Sequence, residues 1–451
     1  VNVLSAQYAL FVLGAVASYW VIPRSWRAAH LCLASLAFMA VVGLDAVLLL
    51  LVAGASAYVA GLGVRRGWRH GRNLAKASVA LSVAVFFVGK VIGALTIDFN
   101  FLDSTILPLG YSFYTFQTIA YVVEVLRGSI EAEENPVRLG AYIAFFPHLT
   151  AGPVLAPHRM LPQFGAHLEE PDGPELAEGV ELILLGTFKK VVLADFAIQM
   201  AITVDRSDST QTLIFYLLLP LAGFFDISGL LDIARGIGKL FAIDLPRSFA
   251  QPLTRARSIT DYWRRWQIPL FAWFREYVYR PVSERLAPPL AVPGGILATF
   301  LVAALWHAVS WDWLVWGGLT AVAVLADRLV QNHLVRTSRR PTTARVWRAG
   351  RRISVYVYVF GTQWVVSQTL GISDLLVATG GRPVPTADFG WTLGLLVGAL
   401  LLLDGYEHHR MVDRRPLQPH VVRGLAWGVA LVGIVVFWGA SGFRPFVYEG
   451  F

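Results

Sequence analysis

Residues 294–318 read GGILATFLVAALWHAVSWDWLVWGG. Between Gly294 and Trp306 there is no ionisable side chain. The surrounding apolar run, 291–330, exceeds the roughly 20 residues that a helix needs to cross a bilayer. In lipid every backbone polar group must be satisfied internally, so such a run has to be helical unless it closes into a barrel. It lacks the polar–apolar alternation of a barrel strand. Within it stands His307, among Trp306, Trp311, Trp313 and Trp316. An ionisable side chain at membrane depth costs about 3 kcal/mol or more, which makes His307 a functional candidate.

The same apolar character recurs on both sides. Apolar runs occupy 4–22, 30–63, 74–95, 105–127, 178–204, 211–241, 352–371, 388–405 and 421–440. Residues 30–63 are too long for one span and predict a helical hairpin turning near Gly43-Leu44-Asp45. The run 74–95 carries Lys90 as its only charge. The chain is therefore expected to be an all-α polytopic membrane protein with about 10–12 transmembrane helices, some short or re-entrant. Composition agrees. Of 451 residues, 56% are apolar and 15% charged, with 15 Trp; an average soluble domain is roughly 25% charged. Such a chain is not disordered, not a coiled coil and not a nucleic-acid-binding module, and it is too apolar to coat a soluble enzyme. It reads as one integral-membrane domain over 1–451, with N-terminal helices in 1–100, a core in 101–330 and C-terminal helices in 331–451.

The net charge of +8 matters less than where the cations sit. Arg65, Arg66, Arg69 and Arg72, then Arg255, Arg257, Arg264 and Arg265, then seven arginines within 336–352, then Arg410, Arg414, Arg415 and Arg423 lie between apolar runs. That distribution marks cytoplasmic loops. The loop 97–104 holds two aspartates and no basic residue, so it is expected outside. Arg24 and Arg27 follow the first run rather than precede it, unlike a cleaved signal peptide. One cysteine, Cys32, allows neither an intrachain disulfide nor a cysteine metal site.

The stretch 259–283, ITDYWRRWQIPLFAWFREYVYRPVS, is too charged to span and suits an interfacial helix with aromatics at headgroup level and snorkelling arginines. Other polar residues in apolar surroundings need a reason. Asp232 and Arg235 are spaced i, i+3 and can pair on one helix. Asp226 has no such neighbour and is the better functional candidate, or else a cap at a broken helix. Lys189, Lys190 and Asp195 form a similar set of structural or interfacial character. Gly110, Gly152-Pro153 and Gly229 mark helix breaks, tolerated at depth only where backbone lines a protein interior or a wet cavity. His307 itself fits either a satisfied buried histidine or a general base. Metal binding is not expected, because no histidine or acid stands at i+3 or i+4 from it.

Seven stretches together resemble a known family: PLGYSFYTFQTIAYVVEVLRG (108–128), FFPHLTAGPV (145–154), GTFKKVVLAD (186–195), FFDISGLLDIARGIGKLFAIDLPRSFAQP (224–252), ITDYWRRWQIPLFAWFREYVYRPV (259–282), ALWHAVSWDWLVWGGL (304–319) and FRPFVYEGF (443–451). They resemble the membrane-bound O-acyltransferases, in the branch of the bacterial alginate O-acetyltransferase and the teichoic-acid D-alanyl transferase. The resemblance implies re-entrant and interfacial helices around a central tunnel through the bacterial cytoplasmic membrane. It implies no bound cofactor. An acyl thioester, acetyl-coenzyme A or an acyl carrier protein, would arrive from the cytoplasm and meet a hydroxyl acceptor, glycan or small molecule, on the outer side. An extracytoplasmic accessory acyltransferase is a further implied partner.

By the same resemblance His307 is the catalytic base. Where the branch carries a second histidine in 263–270, this chain has Gln267, which can hydrogen-bond but cannot exchange a proton near neutral pH. Gln267 is therefore expected at the second polar position of the chamber. Trp263, Arg264, Trp266 and Arg275 are expected at its cytoplasmic mouth, Asp226 and Asp232 beside the tunnel, and Trp306 and Trp311 as walls excluding water from His307. Ala308 stands where the family usually has Gly, and Leu230-Leu231 where it has Tyr-Ser. Two other readings remain open: a transporter of lipid or glycan, motivated by the spans and intramembrane charges, and an inactive relative, motivated by Gln267.

Overall fold

Apolar runs punctuated by Gly, Pro and Arg fold here as helices whose ends fall at the punctuation. A computed structural model of the chain describes residues 3–96, 110–149, 152–165, 171–202, 209–250, 253–335, 341–369, 386–413, 427–428 and 430–435. The protein is an all-α polytopic membrane protein, with no strand among the described residues. Its helices are α1 (Ala6–Val21), α2 (Arg27–Val42), α3 (Leu44–Arg65), α4 (Gly71–Thr96), α5 (Tyr111–Arg127), α6 (Pro136–Ala144), the single turns α7 (Phe146–Leu149) and α8 (Pro157–Met160), α9 (Gly173–Phe188), α10 (Asp195–Ile202), α11 (Ser209–Leu240), α12 (Ile259–Arg265), α13 (Ile268–Phe274), α14 (Arg280–Ser283), α15 (Pro288–His307), α16 (Trp311–Leu329), α17 (Pro341–Thr369) and α18 (Thr386–Asp413).

The expected hairpin in 30–63 forms, with Gly43 alone separating α2 from α3. Six helices among the described residues are long and apolar enough to cross a membrane: Arg24–Val42, Leu44–Arg65, Gly71–Ile92, Ser209–Leu240, Pro288–His307 and Trp311–Asn332. That is fewer than the sequence count. The run 178–204 is interrupted at Lys189–Ala194 by a π-helical turn carrying two lysines. The first run shortens to the 16-residue α1. Most of 421–440, with the acidic loop 97–104, Arg414, Arg415, Arg423 and the stretch 443–451, lies outside the described residues.

Two helix pairs position the site. In the first, α9 and α11 run antiparallel with glycines seven apart on each: Gly179 and Gly186 face Gly236 and Gly229. A Cβ on Gly186 would lie 2.4 Å from the Gly229 carbonyl oxygen, and one on Gly236 would lie 2.5 Å from that of Gly179. Small residues let backbones touch, which is how helices gain dispersion energy where lipid offers no hydrophobic drive. The second pair, α15 and α16, divides the 291–330 run in two. The helix ends at His307, and Ser310 caps the next one by accepting the Trp313 N–H at 3.3 Å.

The 259–283 stretch is not one interfacial helix but three short pieces, α12, α13 and α14, with a π-helical turn at Arg275–Tyr279. Pro269 explains the first break. It has no N–H for the carbonyl of Arg265 four residues earlier. That carbonyl instead accepts the Ala250 N–H at 3.0 Å, while Ile268 N–H donates to the Ser248 carbonyl at 2.8 Å. The neighbouring segment 253–260 is stapled to the later helices by buried acids. Asp404 accepts the Leu253 and Thr254 N–H groups at 2.8 and 2.9 Å. Asp327 accepts the Thr260 N–H at 3.1 Å and pairs with Arg351 at 2.7 Å.

Candidate active site

Because α15 stops at His307 and α16 starts at Trp311, the histidine lies at the tip of a helical hairpin rather than inside a single span. Its ring stacks on Trp313, centroids 4.2 Å apart and 13° from parallel. Trp306 tilts against it at 4.5 Å and Trp316 meets it edge-on at 5.9 Å. All three indoles are buried. Trp306 rests in turn near Phe116 and Phe274, at 6.1 and 6.4 Å. Phe116 stacks on Trp273, whose indole N–H donates to the Phe116 carbonyl at 3.0 Å. This aromatic box displaces water from one side of the imidazole.

The wall assigned to Trp311 is corrected: Trp311 is 82% exposed, and Trp313 and Trp316 take that place. The reason is the capped start of α16. With Ser310 as the cap, residues 313 and 316 fall on one helical face, i and i+3, and 311 falls on another. A serine just before an apolar run is a legible cap, although the apolar character on both sides of Ser310 makes the run look continuous. The other residue missed is Lys90. Its Nζ donates to the His307 carbonyl oxygen at 3.1 Å. The signal was present in the sequence as the single charge of an apolar span.

Gln267 occupies the break between α12 and α13 with φ 43° and ψ 52°, a left-handed conformation. No hydrogen bond joins it to His307 among the described residues. An aromatic path does connect the two regions: Trp263 lies 6.1 Å from Trp316, which touches His307. Trp266 stacks on Tyr262 at 5.5 Å and meets Phe249 at 5.1 Å. Arg264 and Arg275 are exposed. Beyond Arg275, Glu124 accepts from the Tyr277 hydroxyl at 2.9 Å, and Arg127 pairs with Glu276 at 2.5 Å, tying α5 to this broken run. Burial, with the Glu124 carboxylate beside it, pushes the Tyr277 phenol well above its ordinary pKa.

The acids on α11 are not partnerless. Asp226 is 0% exposed and pairs with Lys190 at 2.7 Å, and Lys190 also holds Asp195 at 2.8 Å. Asp226, which has no partner within a helical turn in sequence, finds its partner on the neighbouring segment instead. The π-helical turn brings the consecutive Lys189 and Lys190 both inward, one toward each aspartate of α11. Asp232 takes Lys189 at 2.7 Å and the anticipated Arg235 at 3.3 Å. Asp232 also lines a small cleft with Ser228, Arg235, Arg247 and Ser248.

Comparison with known sequences decides the family. Residues 135–365, just over half of the chain, match the profile of MBOAT, the membrane-bound O-acyltransferase family. The chain belongs to the membrane-bound O-acyltransferase family. Five of the seven stretches read from the sequence fall in the matched range; 108–128 and 443–451 lie outside it. This MBOAT protein is 31% identical over 239 residues to the probable alginate O-acetylase AlgI of Azotobacter vinelandii, covering 52% of this chain and 47% of that one. It is 31% identical over 255 residues to the peptidoglycan O-acetyltransferase of Helicobacter pylori, covering 49% and 48%. It is 26% identical over 227 residues to the teichoic acid D-alanyltransferase of Bacillus subtilis, covering 48% and 57%. The chain thus spans about half the length of the curated relatives it matches.

Proposed function

We propose that the chain is an O-acyltransferase of the bacterial cytoplasmic membrane, in which His307 removes the proton from an acceptor hydroxyl. The alkoxide oxygen attacks the carbonyl of an acyl thioester, the C–S bond breaks, and the proton held on the imidazole passes to the leaving thiolate. The products are an ester and a free thiol. General-base catalysis of this kind contributes about 10²–10⁴ in rate. The observation that carries the reading is the placement of His307: an imidazole at a hairpin tip, boxed by Trp306, Trp313 and Trp316. Excluding water protects a thioester from hydrolysis.

Depth supports a two-sided reaction. His307 lies nineteen residues from the start of α15, about 28 Å along a helix. The exposed arginines Arg264, Arg275 and Arg285 precede that start, and basic residues mark the cytoplasm. A donor entering there would have to bring its thioester well into the helix bundle to reach the imidazole. The acyl group is acetyl and the acceptor an envelope polysaccharide or secreted metabolite, in line with the O-acetylating relatives. The D-alanyltransferase relative favours a second donor, an aminoacyl carrier protein. Membranes bearing wild type or His307→Ala, given radiolabelled acetyl-coenzyme A or an acyl-loaded carrier protein, separate these readings. Label reaching an acceptor only in wild type establishes the class, and the productive donor chooses between them. Equal transfer with His307→Ala overturns the role of the histidine.

A further inference from the structure

We propose that Lys90 is a positioning residue that holds His307 in place from a different helix, an inference that rests on the catalytic reading of His307. The final carbonyls of any helix lack intrahelical donors. At the end of α15 the Ala304 carbonyl is served by the Ala308 N–H at 3.1 Å. The His307 carbonyl lies beyond the last such bond, and Lys90 Nζ reaches it at 3.1 Å. A lysine ammonium suits this position twice over: it donates to a terminal carbonyl, and it complements the negative end of the helix dipole.

The contact is more than a chance approach of a long side chain. Lys90 lies over the ring of Phe86 at 5.9 Å. Phe86 stacks against Tyr111 at 6.0 Å and tilts against Phe116 at 6.3 Å. Phe116 is the ring that backs Trp306. The lysine is thus bonded to the histidine's backbone on one side and joined to the histidine's aromatic wall on the other. Depth agrees as well. Lys90 is nineteen residues from the start of α4, the same count that separates His307 from the start of α15. At 1.5 Å per residue both sit about 28 Å along their helices, each counted from a segment rich in arginine. The shared depth follows from the Lys90–His307 contact, and an intramembrane charge is costly to keep without a partner. Lys90 therefore fixes the break after His307 and with it the direction in which the imidazole faces.

The test compares wild type, Lys90→Met, Lys90→Arg and His307→Ala, each purified in detergent as the full chain. Methionine preserves most of the volume and removes the donor; arginine restores a donor to the same carbonyl. With acetyl-coenzyme A or acyl carrier protein as donor, Lys90→Met is expected to lower kcat up to about 10²-fold, the scale of an ångström-level misplacement. KM for the donor stays within a few-fold, and Lys90→Arg recovers much of kcat. A second readout does not need turnover: diethyl pyrocarbonate modification followed by peptide mass spectrometry. Modification of His307 is expected to become several-fold faster in Lys90→Met and to return toward wild type in Lys90→Arg, while half-exposed His158 reacts unchanged as the internal control. If His307 reacts identically in wild type, Lys90→Met and Lys90→Arg, or if kcat is unchanged in Lys90→Met, Lys90 is not a positioning residue. If neither donor turns over even in wild type, the acyltransfer reading fails on its own, and the modification rates still decide the placement of His307.

Discussion

A glutamine in the left-handed region carries backbone strain of about 1–3 kcal/mol unless its surroundings hold it there. Gln267 is one of only two non-glycine residues with positive φ among the described residues, and the Pro269 break with its flanking hydrogen bonds imposes the conformation. Histidine tolerates that region comparatively well. Gln267→His is therefore expected to fold with stability within about 0.5 kcal/mol of wild type while altering rate or donor choice; unchanged kinetics with both donors would remove Gln267 from the chamber. Trp313 offers the complementary test. Removing the ring stacked on His307 opens the dry side of the imidazole. Trp313→Ala is expected to raise the ratio of thioester hydrolysis to transfer, measured as free thiol released per ester formed. Trp311→Ala, an exposed neighbour two residues away, leaves that ratio alone.

The close glycine contacts between α9 and α11 bring the charges of the π-helical turn against those of α11, so stability and site geometry are coupled at this pair. Lys190→Met leaves Asp226 and Asp195 buried without their shared cation. Breaking a buried pair this way costs about 3–5 kcal/mol, read as a lower midpoint of thermal unfolding in detergent. Gly186→Val forces a side chain into a 2.4 Å gap against the Gly229 carbonyl and is expected to cost about 1–3 kcal/mol or to abolish the folded peak on size exclusion. Much of this architecture was legible: the apolar runs, the Gly43 hairpin, the Asp232–Arg235 pair and the place of His307 within an apolar run all follow from local periodicity and spacing. What was not legible depends on partners distant in sequence. Asp226 could be matched to Lys190 only through a π-turn that no local pattern announces, and the hairpin after His307 was hidden because both of its arms are apolar.

The turn after His307 and the arginines that precede α15 lie at opposite ends of that helix, and this gives a direct test of orientation. In a Cys32→Ser background, a single cysteine at the exposed Trp311 is expected to react with a membrane-impermeant maleimide in intact cells, whereas one at the exposed Arg285 reacts only after permeabilisation. Equal labelling at both sites would dismiss the depth argument for a two-sided reaction. The buried ion network bears on how the chain is made. Lys189 and Lys190 find their aspartates 43 and 36 residues downstream, and the three cations and three anions of the group, Lys189, Lys190, Arg235, Asp195, Asp226 and Asp232, cancel only when both helices are present. Released alone, the first arm would carry an uncompensated lysine into hydrocarbon at a cost of about 3 kcal/mol. Membrane integration of α9 and α10 is therefore expected to become more favourable once α11 has left the ribosome as far as Asp232, which couples the insertion of the two arms.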